Sequence, residues 1–299
     1  MSPRRGTDGP DGLVVVDKPA GWTSHDVVAK SRGLLGTRRV GHSGTLDPDA
    51  TGVLLLGVGR VTRLLRHLTA LPKTYTAEIV LGVETDTLDA SGTVTATHDM
   101  ADVPFDRIEV AATALTGDIV QIPPMVSAVK IDGTRLHVLA RAGVEVERPG
   151  RPVTVYRFDV APTGDPTVVT CEVECSSGTY VRTLAADLGR ALGGGAHLRT
   201  LRRVAIGSFT VAEAVPLERI GLDVVLSPAD AMRDMASVSV DESERLLVGH
   251  GRPLARDERF VGDGPWAIVD ATGALLAVYR PGDRDRVRPD VVIAPVDGK

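Results

Sequence analysis

The stretch GHSGTLDPDATGVLLLGVGR, residues 41–60, places a carboxylate, Asp47, inside a Gly/Ser/Thr/Pro loop directly before an apolar run. Loop acids ordinarily face water, which keeps them charged. An acid at the mouth of a buried strand has rigid scaffold behind it and can be held in a cleft. Such a carboxylate can serve as nucleophile or as base, provided that it stays ionised at working pH. An Asp before a Pro also simply makes a turn, and the loop alone supports both readings. Other chemistries are excluded. GVLLLGVGR lacks the Lys-Ser/Thr ending of a phosphate-cradling loop. Asp47 and Asp49 lack the further ligands of a calcium loop, and no GxSxG elbow or HExxH pair occurs. The two cysteines, Cys171 and Cys175, lie in the alternating stretch TVVTCEVEC. At strand rise they are about 13 Å apart, too far for a disulfide. They lack the further ligands of a zinc motif, so buried, reduced thiols on one face are expected.

The elements that must position Asp47 follow from apolar periodicity. GLVVVDKPAG (12–21) reads as a buried strand ended by a Pro-Gly turn. Ser24 is the expected cap of a helix over HDVVAKSRGLL. Val53–Val58 is a short apolar strand, VTRLLRHLTA (61–70) a basic amphipathic helix, and KTYTAEIVLG (73–82) a half-buried strand. Residues 86–106 read as a polar, acidic surface excursion before a helix in RIEVAATALTG. Residues 121–153 mix prolines, glycines and basic residues, as an RNA-facing arm would. Strands at 153–160 and 167–175, a helix stopping at Gly193-Gly194-Gly195 and further strands complete the larger part. Without a regular βαβ rhythm, the expected class is α+β, with a mixed, largely antiparallel sheet and flanking helices. From about residue 226 the pattern changes to a small β-rich domain with one helix, ESERLLVGHG.

Composition bounds the partners. The chain has 299 residues, 43% hydrophobic and 24% charged, ordinary for a globular protein. No apolar run approaches the roughly 18 residues of a membrane span. MSPRRGTDGPDG has arginines but no apolar core behind them, so residues 1–11 read as a disordered lead and a cytoplasmic protein is expected. Net charge is −5, yet residues 28–73 hold eight Lys/Arg against Asp47 and Asp49, and residues 182–203 hold five Arg against Asp187. Residues 213–245 run the other way, with eight acids against three Arg. Such asymmetry can build one basic face for phosphates on an acidic protein; charges scattered over solvated surface are the plainer reading.

Beyond single residues, several blocks occur in order: VVVDKPAGWTSHDVV, GHSGTLDPDATGVLLLGVGRVTRLL, KTYTAEIVLGVETDTLDASG, IPPMVSAVKIDGTRLHVLARAG, CSSGTYVRTLAADLG and GGGAHLRTLRRVAIGSF. Together they resemble the bacterial tRNA pseudouridine-55 synthase family of the TruB type, over roughly residues 12–212. The resemblance implies a pseudouridine synthase fold in a catalytic domain over 12–225, with the arm at about 121–153. Residues 226–299 would then be a PUA-like RNA-binding domain. It implies isomerisation of uridine in the T-loop of tRNA without a cofactor or metal. The expected partner is the T-arm of tRNA, with no membrane or protein partner, and a monomer is expected.

The family's residues carry over position by position. Asp47 becomes the essential aspartate, with glycines 41, 44 and 52 giving the substrate room and Pro48 fixing the turn. Arg182 in GTYVRT pairs with that aspartate and favours its charged form; an Arg near a helix start is otherwise a surface residue. Tyr75 in KTY stacks on the flipped base, although a Tyr in an alternating strand is more often core. Tyr180 and Leu201 line the uridine site, and Leu201 alone would be read as core. His42 occupies the space left by the flipped base. Lys18-Pro19 supports the loop from behind, and Lys130 is a phosphate contact outside the active site. Asp49 departs from the apolar residue expected there and should point outward. Two other classes compete: an RNA-binding module in which Asp47 is idle, and a glycosidase-like hydrolase, which would want a second carboxylate.

Overall fold

The computed structural model describes residues 9–127, 130–131, 134–136, 144 and 146–294. Most of the expected disordered lead, and residues 128–129, 132–133, 137–143 and 145 of the expected arm, lie outside the described residues. The chain begins β1 (Gly12–Lys18), α1 (Ser24–Leu34), β2 (Val40–His42) and β3 (Thr51–Val58), then α2 (Leu65–Ala70). Next come β4 (Lys73–Leu81), β5 (Val83–Thr85), β6 (Val94–Thr97), α3 (Phe105–Ala114) and β7 (Gly117–Gln121). Two short strands, β8 (Lys130–Ile131) and β9 (Thr134–Arg135), precede β10 (Arg151–Pro162), β11 (Val168–Cys175), α4 (Val181–Ala191) and β12 (Ala196–Ile206). The chain ends with β13 (Phe209–Thr210), β14 (Val215–Pro216), β15 (Ser237–Ser239), α5 (Glu242–Gly249), β16 (Leu254–Ala255), β17 (Trp266–Val269), β18 (Leu275–Pro281) and β19 (Arg286–Val292). Strands and helices interleave without βαβ repetition, and antiparallel pairs predominate: the class is α+β, with a mixed sheet. No described helix is long and apolar enough to cross a membrane.

The chain folds into two compact units. One comprises residues 1–48, 53–69 and 207–299, the other 49–52 and 70–206. In the first, β1 pairs parallel with β14 and β2 antiparallel with β3. The uninterrupted apolar run VVV of β1 and the LLL of β3 bury Val14, Val16, Leu54 and Leu56 against Val27 and Val28 of α1. The same unit holds the five-stranded sheet β15-β17-β18-β19-β16, packed around Trp266 and Tyr279. In the second unit β12, β4, β11, β10 and β7 lie side by side, all antiparallel. Helices α3 and α4 cover one face through Ile108, Ala112, Leu184 and Leu188. Cys171 and Cys175 are buried and unpaired on that sheet, and burial pushes their thiols up to about 12 and about 11, which leaves them inert at neutral pH.

The basic segment 59–70 corrects a sequence expectation. It is not one helix: Gly59–Leu64 is a 3₁₀ turn leading into α2. Its arginines are exposed, yet each is also tied within the protein. Arg60 Nη1 donates to Ile293 O at 2.7 Å, Arg63 Nη1 to Val292 O at 2.8 Å, and Arg66 pairs with Asp290. Arg60 further pairs with Asp11. His67 Nε2 lies 3.0 Å from the same Asp290 carboxylate, which Arg280 of β18 also approaches at 3.5 Å. The 3₁₀ turn and α2 together thus grip β19 and the residue after it. Burial first of all, opposed by Asp290, holds the His67 pKa below its usual value. A depressed folded pKa means that the unfolded chain takes the proton first, so stability present above about pH 6.5 is lost as pH falls. Asp290→Asn removes the opposing carboxylate and should deepen that loss. Its Tm deficit relative to wild type is expected to widen as pH falls from about 7.5 to about 5.5, by scanning calorimetry. A deficit constant with pH would refute the coupling.

Candidate active site

The loop carrying Asp47 is built from the start of α1. Thr23, not the expected Ser24, caps that helix: its hydroxyl accepts from Asp26 N at 3.1 Å and its own N–H donates to Asp26 Oδ2 at 3.0 Å. Relieved of capping, the buried Ser24 turns its hydroxyl on the loop, accepting from Leu46 N at 2.9 Å and donating to Leu46 O at 3.2 Å. On the other side of Asp47, Pro48 O accepts from Lys18 Nζ at 2.8 Å and from Gly21 N at 3.0 Å. Lys18 is fully buried, and its ammonium donates to Pro19 O at 2.9 Å and Trp22 O at 2.7 Å as well. A buried ammonium is tolerable only when its donors find acceptors; here three donors meet three carbonyls. Asp47 is therefore half-buried between two residues that are both pinned. His42, at the end of β2, stands edge-on to His25 in the first turn of α1, with ring centroids 5.3 Å apart.

Two of the three loop glycines also have a packing role. At Gly52, with φ of 101°, a Cβ would stand 2.1 Å from Arg203 O, so Gly52 lets Thr51–Gly52 run beside β12. A Cβ at Gly41 would meet Leu65 Cδ1 at 2.9 Å. Asp49 is exposed, as expected. Because Lys18 satisfies three carbonyls at once, Lys18→Met is expected to destabilise the protein by about 2–4 kcal/mol in urea unfolding. A variant of wild-type stability would show that these bonds contribute nothing net.

The remaining candidates, Tyr75, Tyr180, Arg182 and Leu201, all lie in the second unit. Tyr75 and Leu201 are partly buried at the border of its core, Leu201 standing opposite Ala77 on the neighbouring strand. Tyr180 is the N-cap residue of α4, and Arg182 occupies the first turn. A cation at the positive end of a helix dipole is unfavourably placed, so other groups must hold it. Arg182, 4% exposed, donates through Nη1 to Thr87 O at 3.0 Å and through Nη2 to Val126 O at 2.8 Å. Its Nη1 also lies 3.3 Å from Asp89 Oδ2. The other Asp89 oxygen accepts from Thr87 Oγ1 at 2.7 Å and from Ser91 N and Oγ at 3.1 and 2.6 Å.

Asp89 was not singled out in the sequence, where it falls in the polar excursion of residues 86–106. That segment is largely exposed, as expected, but Ala90 N donates to Leu198 O and Leu198 N to Leu88 O, which sew residues 88–90 along β12. The available signal was the Thr-x-Thr-x-Asp-x-Ser spacing of 85–91, dense in side chains that hydrogen-bond their own loop. The basic footprint shrinks in the same way. Of the thirteen cations counted in residues 28–73 and 182–203, Arg60, Arg63 and Arg66 are spent on β19 and Asp290. Lys73, Arg182 and Arg203 are buried. Burial first, then Arg203, presses the Lys73 amine down to about 8, against the opposing pull of Cys175. Among the described residues no group of three or more His, Cys, Asp or Glu could hold a metal ion.

Comparison with known proteins adds lineage to this geometry. The model of the TruB family pseudouridylate synthase N-terminal domain matches residues 32–181, and that of the tRNA pseudouridylate synthase B C-terminal domain matches 182–235. A protein named tRNA pseudouridine synthase B from Arthrobacter sp. (strain FB24) is 45% identical over 297 residues, covering 95% of this chain and 97% of that one. Its namesake from Rhodococcus jostii (strain RHA1) is 48% identical over 291 residues, covering 95% and 94%. Among solved structures, a Cbf5-Nop10-Gar1 complex is similar with a TM-score of 0.73 and 26% identity, over 95% of this chain and 85% of that one. An H/ACA RNP bound to a substrate RNA containing 2′-deoxyuridine shares the fold, with a TM-score of 0.72 and 24% identity over 96% and 86%. By a family model that matches half of its length and by relatives alike from end to end, the chain belongs to the TruB family of pseudouridylate synthases.

Proposed function

We propose that this enzyme isomerises uridine 55 in the T-loop of tRNA to pseudouridine, with Asp47 as its one catalytic carboxylate and no cofactor. Identity of 45% to a tRNA pseudouridine synthase B across 95% of the chain supports tRNA as substrate. The observation that carries the role of Asp47 is its place between Leu46 and Pro48, whose backbones are tied to Ser24 and Lys18. A carboxylate so held keeps its aim while the glycosidic bond breaks, the base turns and C5 joins the ribose carbon. It acts ionised, as nucleophile or as base. Pseudouridine formation breaks C1′–N1 and C5–H, forms C1′–C5 and puts a proton on N1, so the atoms balance with no oxidant or reductant.

The uridine must leave its stack to be reached. Tyr75 offers an aromatic face to the flipped base, Tyr180 and Leu201 bound the uracil, and Arg182 supplies the site's cation. His42, braced edge-on by His25, is suited to stack where the base had been. The T-arm binds through phosphate contacts of the cations left at the surface. Residues 12–225 form the catalytic part with its arm at 121–153, and 226–299 the PUA-like part. The protein works as a monomer in the cytoplasm.

Tritium release from a tRNA transcript labelled at uridine C5, without cofactors, tests this reading. Wild type should release tritium, Asp47→Asn should release none while still binding, and a transcript with cytidine at position 55 should release none with either. Wild type that binds the transcript without release would instead leave an RNA-binding module. Asp89→Asn removes one carboxylate beside Arg182 and should lower the single-turnover rate on the order of tenfold to a hundredfold, with tRNA affinity nearly unchanged. An unaltered rate would remove Asp89 from the machinery.

A further inference from the structure

Gln121 ends β7 at the root of the arm, and none of the roles above uses it. Its side chain is 1% exposed and meets one residue with both ends. Oε1 accepts from Tyr180 N at 2.9 Å, and Nε2 donates to Tyr180 O at 3.3 Å. Tyr180 is the N-cap of α4, yet its own side chain makes no capping bond. Its carbonyl accepts the first helical bond, from Leu184 N at 3.1 Å. A carboxamide carries a donor and an acceptor side by side, the complement of one residue's N–H and C=O. The stitching continues along both segments. Thr183 Oγ1 reaches Ile122 O at 3.5 Å and Arg182 Nη2 donates to Val126 O at 2.8 Å. Residues 121–126 therefore run beside residues 180–183, and Gln121 is the buried, two-point member of that seam.

We propose that Gln121 is a positioning residue for the isomerisation: it fixes the backbone of Tyr180, and with it the direction in which the Tyr180 ring and the Arg182 guanidinium leave the start of α4. This deepens the reading of Tyr180 and Arg182 as substrate-binding residues and rests on it. Gln121 touches no reacting atom. It acts on where two substrate-facing side chains stand, and a small displacement of such groups is felt in the rate more than in affinity.

Gln121→Glu separates positioning from bulk. The ionised carboxylate still accepts from Tyr180 N–H but has no donor for Tyr180 O, which it repels. The protonated acid has a donor and an acceptor and restores both bonds. Burial favours that neutral form. In single-turnover tritium release at high pH, the variant is expected to be slower on the order of tenfold to a hundredfold, with tRNA affinity unchanged. It should return toward the wild-type rate as pH falls, with the wild-type profile divided out and folding confirmed by circular dichroism at each pH. A folded variant that equals wild type throughout, or one whose loss does not vary with pH, overturns the proposal. A second measurement needs no variant: Tyr180 N–H in the wild type should exchange with solvent as slowly as the amides inside α4. Exchange as fast as at the exposed Gly178 would overturn the proposal as well. Tritium release persisting in Asp47→Asn would instead defeat the functional reading, and the exchange result would still decide the Gln121 bonds.

Discussion

Everything about the Asp47 loop depends on one buried charge. The Lys18 ammonium has left water completely, and it is stable there because its donors end on the carbonyls of Pro19, Trp22 and Pro48. Such an arrangement is reciprocal. The carbonyls keep the ammonium soluble in the interior, and the ammonium keeps three turn residues from moving apart. A neutral side chain of equal length could not do this, because it brings too few donors. Ser24 repeats the logic on a smaller scale, spending one hydroxyl on both backbone groups of Leu46. The consequence for function is geometric: the residue between Leu46 and Pro48 has little freedom left except in its own side chain. That residue is the carboxylate.

The cations divide by what surrounds them. Charge counting treats every arginine in a basic stretch as a candidate phosphate contact, yet Arg60, Arg63 and Arg66 hold a β-strand by its carbonyls and Asp290. Arg182 and Arg203 are buried, and Arg182 sits at the wrong end of a helix dipole. Burying a guanidinium is unfavourable unless acceptors meet it, so each buried one marks a place where the fold accepts a penalty for placement. For Arg182, Thr87, Asp89 and Val126 are among the acceptors, and they come from two separate loops. Its orientation therefore reports on both of them.

The two sets of candidate residues are made rigid by different means. The loop with His42 and Asp47 borrows its stiffness from a helix start and a buried lysine. Tyr75 and Leu201 instead stand on adjacent strands of a sheet whose face is sealed by α3 and α4, while Tyr180 and Arg182 begin a helix anchored by residues distant in sequence. Ladder hydrogen bonds carry Tyr75 and Leu201, whereas Tyr180 and Arg182, like the Asp47 loop, are held through side-chain hydrogen bonds.

The amino-acid sequence by itself determined most of the elements and the α+β class. The apolar runs of β1 and β3, the alternation of β4 and the helix ending at Gly193 are local patterns, and they folded where periodicity placed them. Asp47 stood out locally as a carboxylate at the edge of a buried strand, but the loop alone left it between turn and catalysis, and only the ordered blocks of family resemblance gave it a role. The cap of α1 was misplaced by one residue, because Thr23 and Ser24 are equally good caps until Leu46 claims one hydroxyl. Partners distant along the chain were settled only by the tertiary structure. It set Asp89 against Arg182, Gln121 against Tyr180, Lys18 against Pro48, and three arginines of residues 60–66 against residues 290–293. Each of these joins a polar group to a backbone atom or charge many residues away, and which partner a donor finds depends on which surfaces burial brings together. A sequence names its donors and acceptors; only packing assigns them to one another.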